Sequence, residues 1–227
     1  MYKRNFDQIE CNGHHEPNLV RRVNNHIYFY ASVTKKSCMD LNVEIKTISD
    51  IITAKPTTSP VNRTNNQTNN QTNNQPVEKY KYIYLHINSF GGSVYAVLST
   101  IDTIKNCPIP IVSVIEGGSA SAGTLMSVVC DYRIILENSY MLIHQLSSGM
   151  WGKFEDLKDD MENCEGLMKR IKQIYTEHTK LKESELDDIL KHDRWWGPEK
   201  CLTTGLVDEI HKPEEKKKVN KKRLRVV

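Results

Sequence analysis

Gly117-Gly118-Ser119-Ala120-Ser121-Ala122-Gly123-Thr124 lies between two apolar runs, Ile109-Pro110-Ile111-Val112-Ser113-Val114-Ile115 before it and Leu125-Met126-Ser127-Val128-Val129-Cys130 after it. The first run has the length and β-branched content of a buried strand, and the second suits the body of a buried helix. A strand that passes through small residues into a helix sets one of them on a tight turn at the helix N-terminus. Backbone N–H groups there lack intrahelical partners, and the helix dipole favours negative charge. A serine at that point has the surroundings of a nucleophile with an oxyanion site beside it. Ser121 is the first candidate and Ser119 the second. The same turn also serves plain tight packing, and these residues alone leave both readings open.

Upstream, the same grammar recurs. The stretch 78–87, EKYKYIYLHI, reads as a strand, and Asn88-Ser89-Phe90-Gly91-Gly92-Ser93 as a turn. Val94, Val97, Leu98, Ile101 and Ile104 then mark one face of a helix reaching about residue 106. Strand, glycine turn, helix, strand, glycine turn, helix is the order of an α/β fold with a mainly parallel sheet and right-handed crossovers. Sites in such sheets lie at the carboxyl ends of the strands, so the two glycine turns are expected to meet.

The flanks complete the sheet. Residues 26–33, HIYFYASV, alternate as a first strand, and 38–54 carry helical spacing with Asp40 or Ser37 as a possible cap. Short strands are expected at 132–136 and 140–143, with His144 at the end of the second. After a polar link comes a long helix over 154–179, whose apolar face (Phe154, Leu157, Met161, Leu167, Ile171, Ile174, Tyr175) is thin. Such a helix suits packing against another subunit. A short helix at 184–190 precedes Asp193 in a loop, a last helix opens at Gly197-Pro198-Glu199, and 205–210 close the fold.

The 227 residues allow one large domain with appendages: a flexible arm over 1–25, a domain over 26–211, and a basic tail over 212–227. Within the domain, about 55–77 hold the repeat NNQTNNQTNNQ, too polar to offset its ordering entropy, and read as a disordered insertion. Its N-x-T triplets at Asn66 and Asn70, with another at Asn62, would matter only in a secreted chain. The tail carries eight Lys/Arg against two Glu, a net +6, so the net +3 of the whole leaves about −3 elsewhere. That distribution argues against a nucleic-acid-binding domain. Six scattered cysteines without a CxxC pair suit free thiols in a reducing compartment, and Cys11, His14 and His15 lack the further ligand of a metal site. No apolar run reaches the ~18 residues of a membrane span, and no signal-like h-region opens the chain. A soluble protein of the cytoplasm, or of an organelle, is expected.

A serine hydrolase also needs a base and an anion to orient it. Taken with the motifs that could supply them, the chain resembles the ClpP family of caseinolytic serine peptidases from about residue 26 to 210. The resemblance rests on Gly117 to Gly123, on Met141-Leu142-Ile143-His144-Gln145, on Asp193-Arg194-Trp195 with Gly205-Leu206-Val207-Asp208, and on Asn88-Ser89-Phe90-Gly91-Gly92. It implies ClpP/crotonase-like repeated ββα units with a projecting long helix. It implies Ser121 as nucleophile, His144 as general base and then acid, and Asp193 as the group holding the imidazole. The oxyanion hole would be the backbone N–H groups of Gly92 and Ala122, with neither metal nor organic cofactor. It further implies stacked heptameric rings of this chain, unfolded proteins or peptides as substrates, and an AAA+ ATPase unfoldase as partner. Phe90 departs from the family's usual proline, and the arm, insertion and tail have no clear match. Two other readings stand beside this one: a catalytically poor ring subunit or scaffold, and a crotonase-type acyl-CoA enzyme with glycine-turn oxyanion holes but no triad.

Overall fold

The computed structural model of the protein describes residues 19–54 and 80–213. The strands are β1 (Leu19–Val23), β2 (His26–Tyr30), β3 (Ile83–Ser89), β4 (Ile111–Ala120), β5 (Tyr132–Leu136), β6 (Tyr140–Leu142), β7 (Trp195–Trp196) and β8 (Glu209–His211). The helices are α1 (Lys35–Thr53), α2 (Val94–Lys105), α3 (Ala122–Val128), α4 (Phe154–His178), α5 (Glu183–Ile189) and α6 (Pro198–Thr204). The sheet runs β1-β2-β3-β4-β5-β8, parallel from β2 onward, with β1 antiparallel at one edge. The mainly parallel α/β fold expected from the alternating strands and helices is the one observed.

Strand composition explains the layering. In β2 and β3 every second residue is buried, so Ile27, Phe29, Ile83, Leu85 and Ile87 face the core. Leu41, Ile45 and Ile48 of α1 and Val97, Ile101 and Ile104 of α2 pack into the same core. All seven residues of α3 are buried, so its sequence is small or apolar apart from Thr124 and Ser127, whose hydroxyls find partners inside the fold. In α4, by contrast, only Ile171, Ile174 and Tyr175 are buried, and Phe154 and Met161 stay exposed. Its first turns project beyond the core.

Several boundaries differ from the sequence reading. The loose arm expected through Asn25 already contains β1, an exposed edge strand without periodicity to betray it. Arg22 ties β1 to α1 through an ion pair with Glu44 (2.7 Å). Helix α1 begins at Lys35, capped by neither Asp40 nor Ser37 but by Thr34; its hydroxyl accepts the Ser37 N–H while Ser37 Oγ accepts the Thr34 N–H. Strand β3 starts only at Ile83, and the two-residue β7 was not anticipated. The glycines of Gly117-Gly118 belong to β4 rather than to a turn, because Gly118, Ser119 and Ala120 pair with Tyr140, Met141 and Leu142 of β6.

Among the described residues Cys38, Cys107, Cys130, Cys164 and Cys201 are free thiols. Burial pushes the thiols of Cys130 and Cys201 up to about 12, so both are structural rather than reactive. Among the described residues no helix is long and apolar enough to cross a membrane. The polar repeat, the basic tail beyond Pro213, and Cys11, His14 and His15 lie outside the described residues.

Candidate active site

Strand β4 ends against β6, and the chain then turns into α3 through a single residue. Ser121 is that residue, the N-cap of α3, at φ 53° and ψ −124°. A non-glycine residue in that region costs on the order of 1–3 kcal/mol and persists only where its surroundings hold it. Its N–H donates to Leu142 O of β6 (2.9 Å), and its carbonyl accepts from Thr124 N–H (3.0 Å). Ser119, the second candidate, is wholly buried within β4, and its hydroxyl finds no partner among the described residues. It does not line the cavity that Ser121 lines.

The other glycine turn closes over Ser121. Gly91 has φ +97°, and a Cβ there would stand 2.7 Å from Ser121 Cβ. Gly92 has φ +143°, and a Cβ there would meet Val33 O at 2.3 Å. Only glycine serves at either position. Val33 N–H donates to Gly91 O (2.7 Å) and Ser93 N–H to Val33 O (2.8 Å), which pins the turn beside the end of β2. The turn is shaped from below by Ser89, whose hydroxyl donates to Ala31 O (2.6 Å) and accepts the Gly91 N–H (3.2 Å). Among the described residues the N–H groups of Gly92 and Ala122 are left without a hydrogen-bond acceptor. Both residues line the cavity that holds Ser121. The Gly91-Gly92 turn and the turn at Ser121 meet at the strand ends, although Gly117 and Gly118 themselves lie in β4.

That cavity, about 450 Å³, is also lined by His144. His144 follows β6 by two residues, and its Nδ1 lies 3.4 Å from Asp193 Oδ1. The approach comes from pairing. Antiparallel β6 and β7 match Met141 with Trp196 and Leu142 with Trp195, and continuing that register by two residues sets Asp193 opposite His144. Gln145 N–H donates to Leu190 O (2.8 Å) and holds the two segments together just beyond. Five residues singled out in the sequence, Ser121, His144, Asp193, Gly92 and Ala122, therefore come to one place. A hydroxyl, an imidazole with a carboxylate behind it, and two free amides are what acyl transfer through a serine requires.

Sequence reading missed three neighbours. Thr124 hydrogen-bonds both the Ser121 carbonyl and Tyr175 of α4, which the apolar face of α4 had presented only as core. Trp195 stands edge-to-face with Phe90 (centroids 5.8 Å apart, planes at 88°), bridging the turn over residues 88–93 to the segment that carries Asp193.

A sequence profile of the family described as Clp protease matches residues 60–214. The chain is 32% identical over 130 residues to the ATP-dependent Clp protease proteolytic subunit of Deinococcus radiodurans, a match covering 56% of this chain and 64% of that protein. It is 36% identical over 130 residues to ATP-dependent Clp protease proteolytic subunit 1 of Streptomyces avermitilis, covering 56% of this chain and 60% of the relative. The matched segment thus spans somewhat less than two thirds of each of these relatives. Its profile match, over more than half its length, makes the chain a member of the Clp protease family.

Proposed function

We propose that this chain is a serine endopeptidase that hydrolyses peptide bonds of unfolded proteins or peptides. Ser121 Oγ attacks the scissile carbonyl while His144 takes its proton, and the Gly92 and Ala122 N–H groups receive the oxyanion. His144 then protonates the leaving amine, and water clears the acyl-enzyme by the same steps in reverse roles. Asp193 keeps the imidazole turned so that the nitrogen away from it carries the chemistry. The observation that supports this best is the strained N-cap position of Ser121 in the cavity that His144 also lines. Backbone strain stored at one serine, beneath a turn that tolerates only glycine, is the pattern of a pre-organised nucleophile.

The partners follow from the shape of α4 and from the relatives' names. Exposed apolar residues on its projecting half, Phe154 and Met161, suit contacts between copies of the chain, and we read the working form as stacked rings enclosing the sites. The two bacterial relatives are named as subunits of ATP-dependent proteases, which supports an AAA+ ATPase as the supplier of unfolded chains. A second reading, a ring subunit of low activity, draws on the 3.4 Å separation of His144 and Asp193.

One experiment separates the two. Wild type and Ser121→Ala are compared for hydrolysis of short fluorogenic peptides and for labelling by a fluorophosphonate, with the assembled mass measured alongside. Turnover and labelling in wild type, both lost in Ser121→Ala, support the peptidase. The loss should reach about 10⁴-fold or more in kcat. An assembled wild type that neither labels nor turns over supports the scaffold.

A further inference from the structure

The carbonyl of Ser121 is unusually well held. It accepts from Thr124 N–H (3.0 Å), from Leu125 N–H (3.4 Å) and from the Thr124 hydroxyl (2.7 Å). The same Thr124 Oγ1 lies 2.6 Å from the Tyr175 hydroxyl. Directions can be assigned. A threonine hydroxyl has one proton, and a carbonyl oxygen has none to give, so Thr124 donates to Ser121 O. Tyr175 must then donate to Thr124. Neither side chain meets water, since Thr124 is 0% and Tyr175 1% exposed. The chain Tyr175 O–H to Thr124 O–H to Ser121 carbonyl therefore runs through dry protein, where successive hydrogen bonds polarise one another. Burial pushes the phenol of Tyr175 far above its ordinary value, so it remains a donor at any working pH.

The peptide bond explains why this carbonyl matters. The C=O of Ser121 and the N–H of Ala122 belong to one planar unit and point in opposite directions. Whatever fixes the carbonyl fixes the aim of the amide. Ser121 sits at φ 53° and ψ −124°, a strained combination, and rotation of the 121–122 unit, which moves ψ of Ser121 toward the left-handed helical value at the same φ, is the direct way to relieve it. Such a rotation would turn the Ala122 N–H away from the cavity.

We propose that Thr124 and Tyr175 are positioning residues which, through their two hydroxyls, lock the Ser121–Ala122 peptide so that the Ala122 amide faces the reacting carbonyl oxygen. The proposal rests on the peptidase reading above. It also joins α4 to the nucleophile turn, because Tyr175 is one of only three buried residues on that helix. The seat of α4 against α3 and the aim of the amide are set by the same pair of hydroxyls.

The test removes each hydroxyl with little change of shape: Thr124→Val, Tyr175→Phe, the double variant, and Thr124→Ser, which restores a hydroxyl. Peptide hydrolysis gives kcat and KM, titration with a fluorophosphonate counts competent serines, and thermal unfolding checks folding. Thr124→Val and Tyr175→Phe are each expected to lose about 10-fold to 10²-fold in kcat per competent site, with KM within about twofold, a part of what deleting an oxyanion donor costs. The double variant should fall no further than the worse single one, and Thr124→Ser should return most of the rate. Unchanged kcat in both single variants, a change confined to KM, or losses that multiply in the double variant would each overturn the proposal. Should Thr124→Val fail to fold, Tyr175→Phe decides alone. A wild type that neither labels nor hydrolyses sinks the peptidase reading itself, and the proposal with it; active wild type with indifferent hydroxyl variants sinks only the proposal.

Discussion

Nδ1 of His144 stands 3.4 Å from Oδ1 of Asp193, and the carboxylate side chain is 57% exposed. Charge-assisted hydrogen bonds are usually about 2.7–2.9 Å long, so this contact orients the ring more by strand register than by a short bond. An exposed carboxylate is also screened by water. Asp193→Asn is therefore expected to lower kcat by roughly 10²-fold, less than the roughly 10⁴-fold typical where the acid is buried against the histidine. Peptide hydrolysis across a pH series measures it. A loss near 10⁴-fold would show that the pair tightens during turnover.

Gly91 presses on Ser121 from the other side. An added methyl would fall 2.7 Å from Ser121 Cβ and 2.8 Å from Ala120 O, at a φ of +97° that side chains avoid. Gly91→Ala should cost about 1–3 kcal/mol in stability from backbone conformation alone. It should also cost at least roughly 10²-fold in kcat, because either the amides or Ser121 must move. Unfolding midpoints and kcat measured on the same samples test both parts. A variant with native activity would mean that the turn has slack which the contacts do not suggest.

Much of this arrangement was legible in the sequence. Two strand–glycine–helix units predict a parallel sheet and a meeting of glycine turns because parallel strands put their carboxyl ends on one edge. Ser121 stood out for the same reason, just past an apolar strand, but spacing alone left it level with plain packing, and His144 was singled out only through its resemblance to a family motif. Asp193 is different: its approach to His144 depends on β7, whose two residues are too few for any periodicity. Edge strand β1 was invisible because four of its five residues are exposed. The Thr124–Tyr175 hydrogen bond was hidden by distance along the chain, since a tyrosine on the apolar face of an amphipathic helix reads as core until its hydroxyl is seen to have a partner.

Phe90 reaches Trp195 edge-to-face, and Gly118 leaves room beneath them, for a Cβ there would stand 3.1 Å from Phe90 Cε1. Phe90→Ala and Trp195→Ala should show a coupling of about 0.5–1.5 kcal/mol in a double-mutant cycle of unfolding. Because Phe90 also lines the cavity, Phe90→Ala should raise KM for peptides more than it lowers kcat. Zero coupling would mean the rings are merely adjacent.

Arg133 binds Asp208 with two parallel contacts, Nε to Oδ2 (2.8 Å) and Nη2 to Oδ1 (2.7 Å). Its remaining nitrogen, Nη1, donates to the carbonyls of His178 (2.5 Å) and Gly205 (2.8 Å), joining β5 to the ends of α4 and α6. Lysine cannot reproduce that fork. Arg133→Lys should lower stability by about 2 kcal/mol, read as a shifted urea midpoint with an unchanged slope. Activity per folded molecule should be retained, since Arg133 does not line the cavity. A shift below roughly 0.5 kcal/mol would show that water replaces the lost donors.

Acid should loosen the fold through two histidines. His26 Nδ1 lies 2.8 Å from His86 Nε2, a gap with room for one proton, while His86 Nδ1 faces Glu116 Oε1 at 2.8 Å. Glu116 also accepts the Tyr30 hydroxyl, and Tyr84 stacks on His26. Burial, then the neighbouring His86, hold the pKa of His26 below its ordinary value of 6.5, against a smaller opposing pull from Glu116. His178 is lowered too, first by burial and then by the positive charge of Lys105. In the unfolded chain both imidazoles titrate near 6.5, so below that pH the unfolded state binds more protons than the folded one. Stability is therefore full above about pH 7 and falls as the pH drops through 6.5 towards the lowered folded values. Urea midpoints at about pH 7.5 and 5.5 should differ in that direction, and His26→Gln should narrow the difference by removing one of the two groups. A midpoint that rises on acidification, or a difference that His26→Gln leaves untouched, would show that protonating His26 costs the fold nothing.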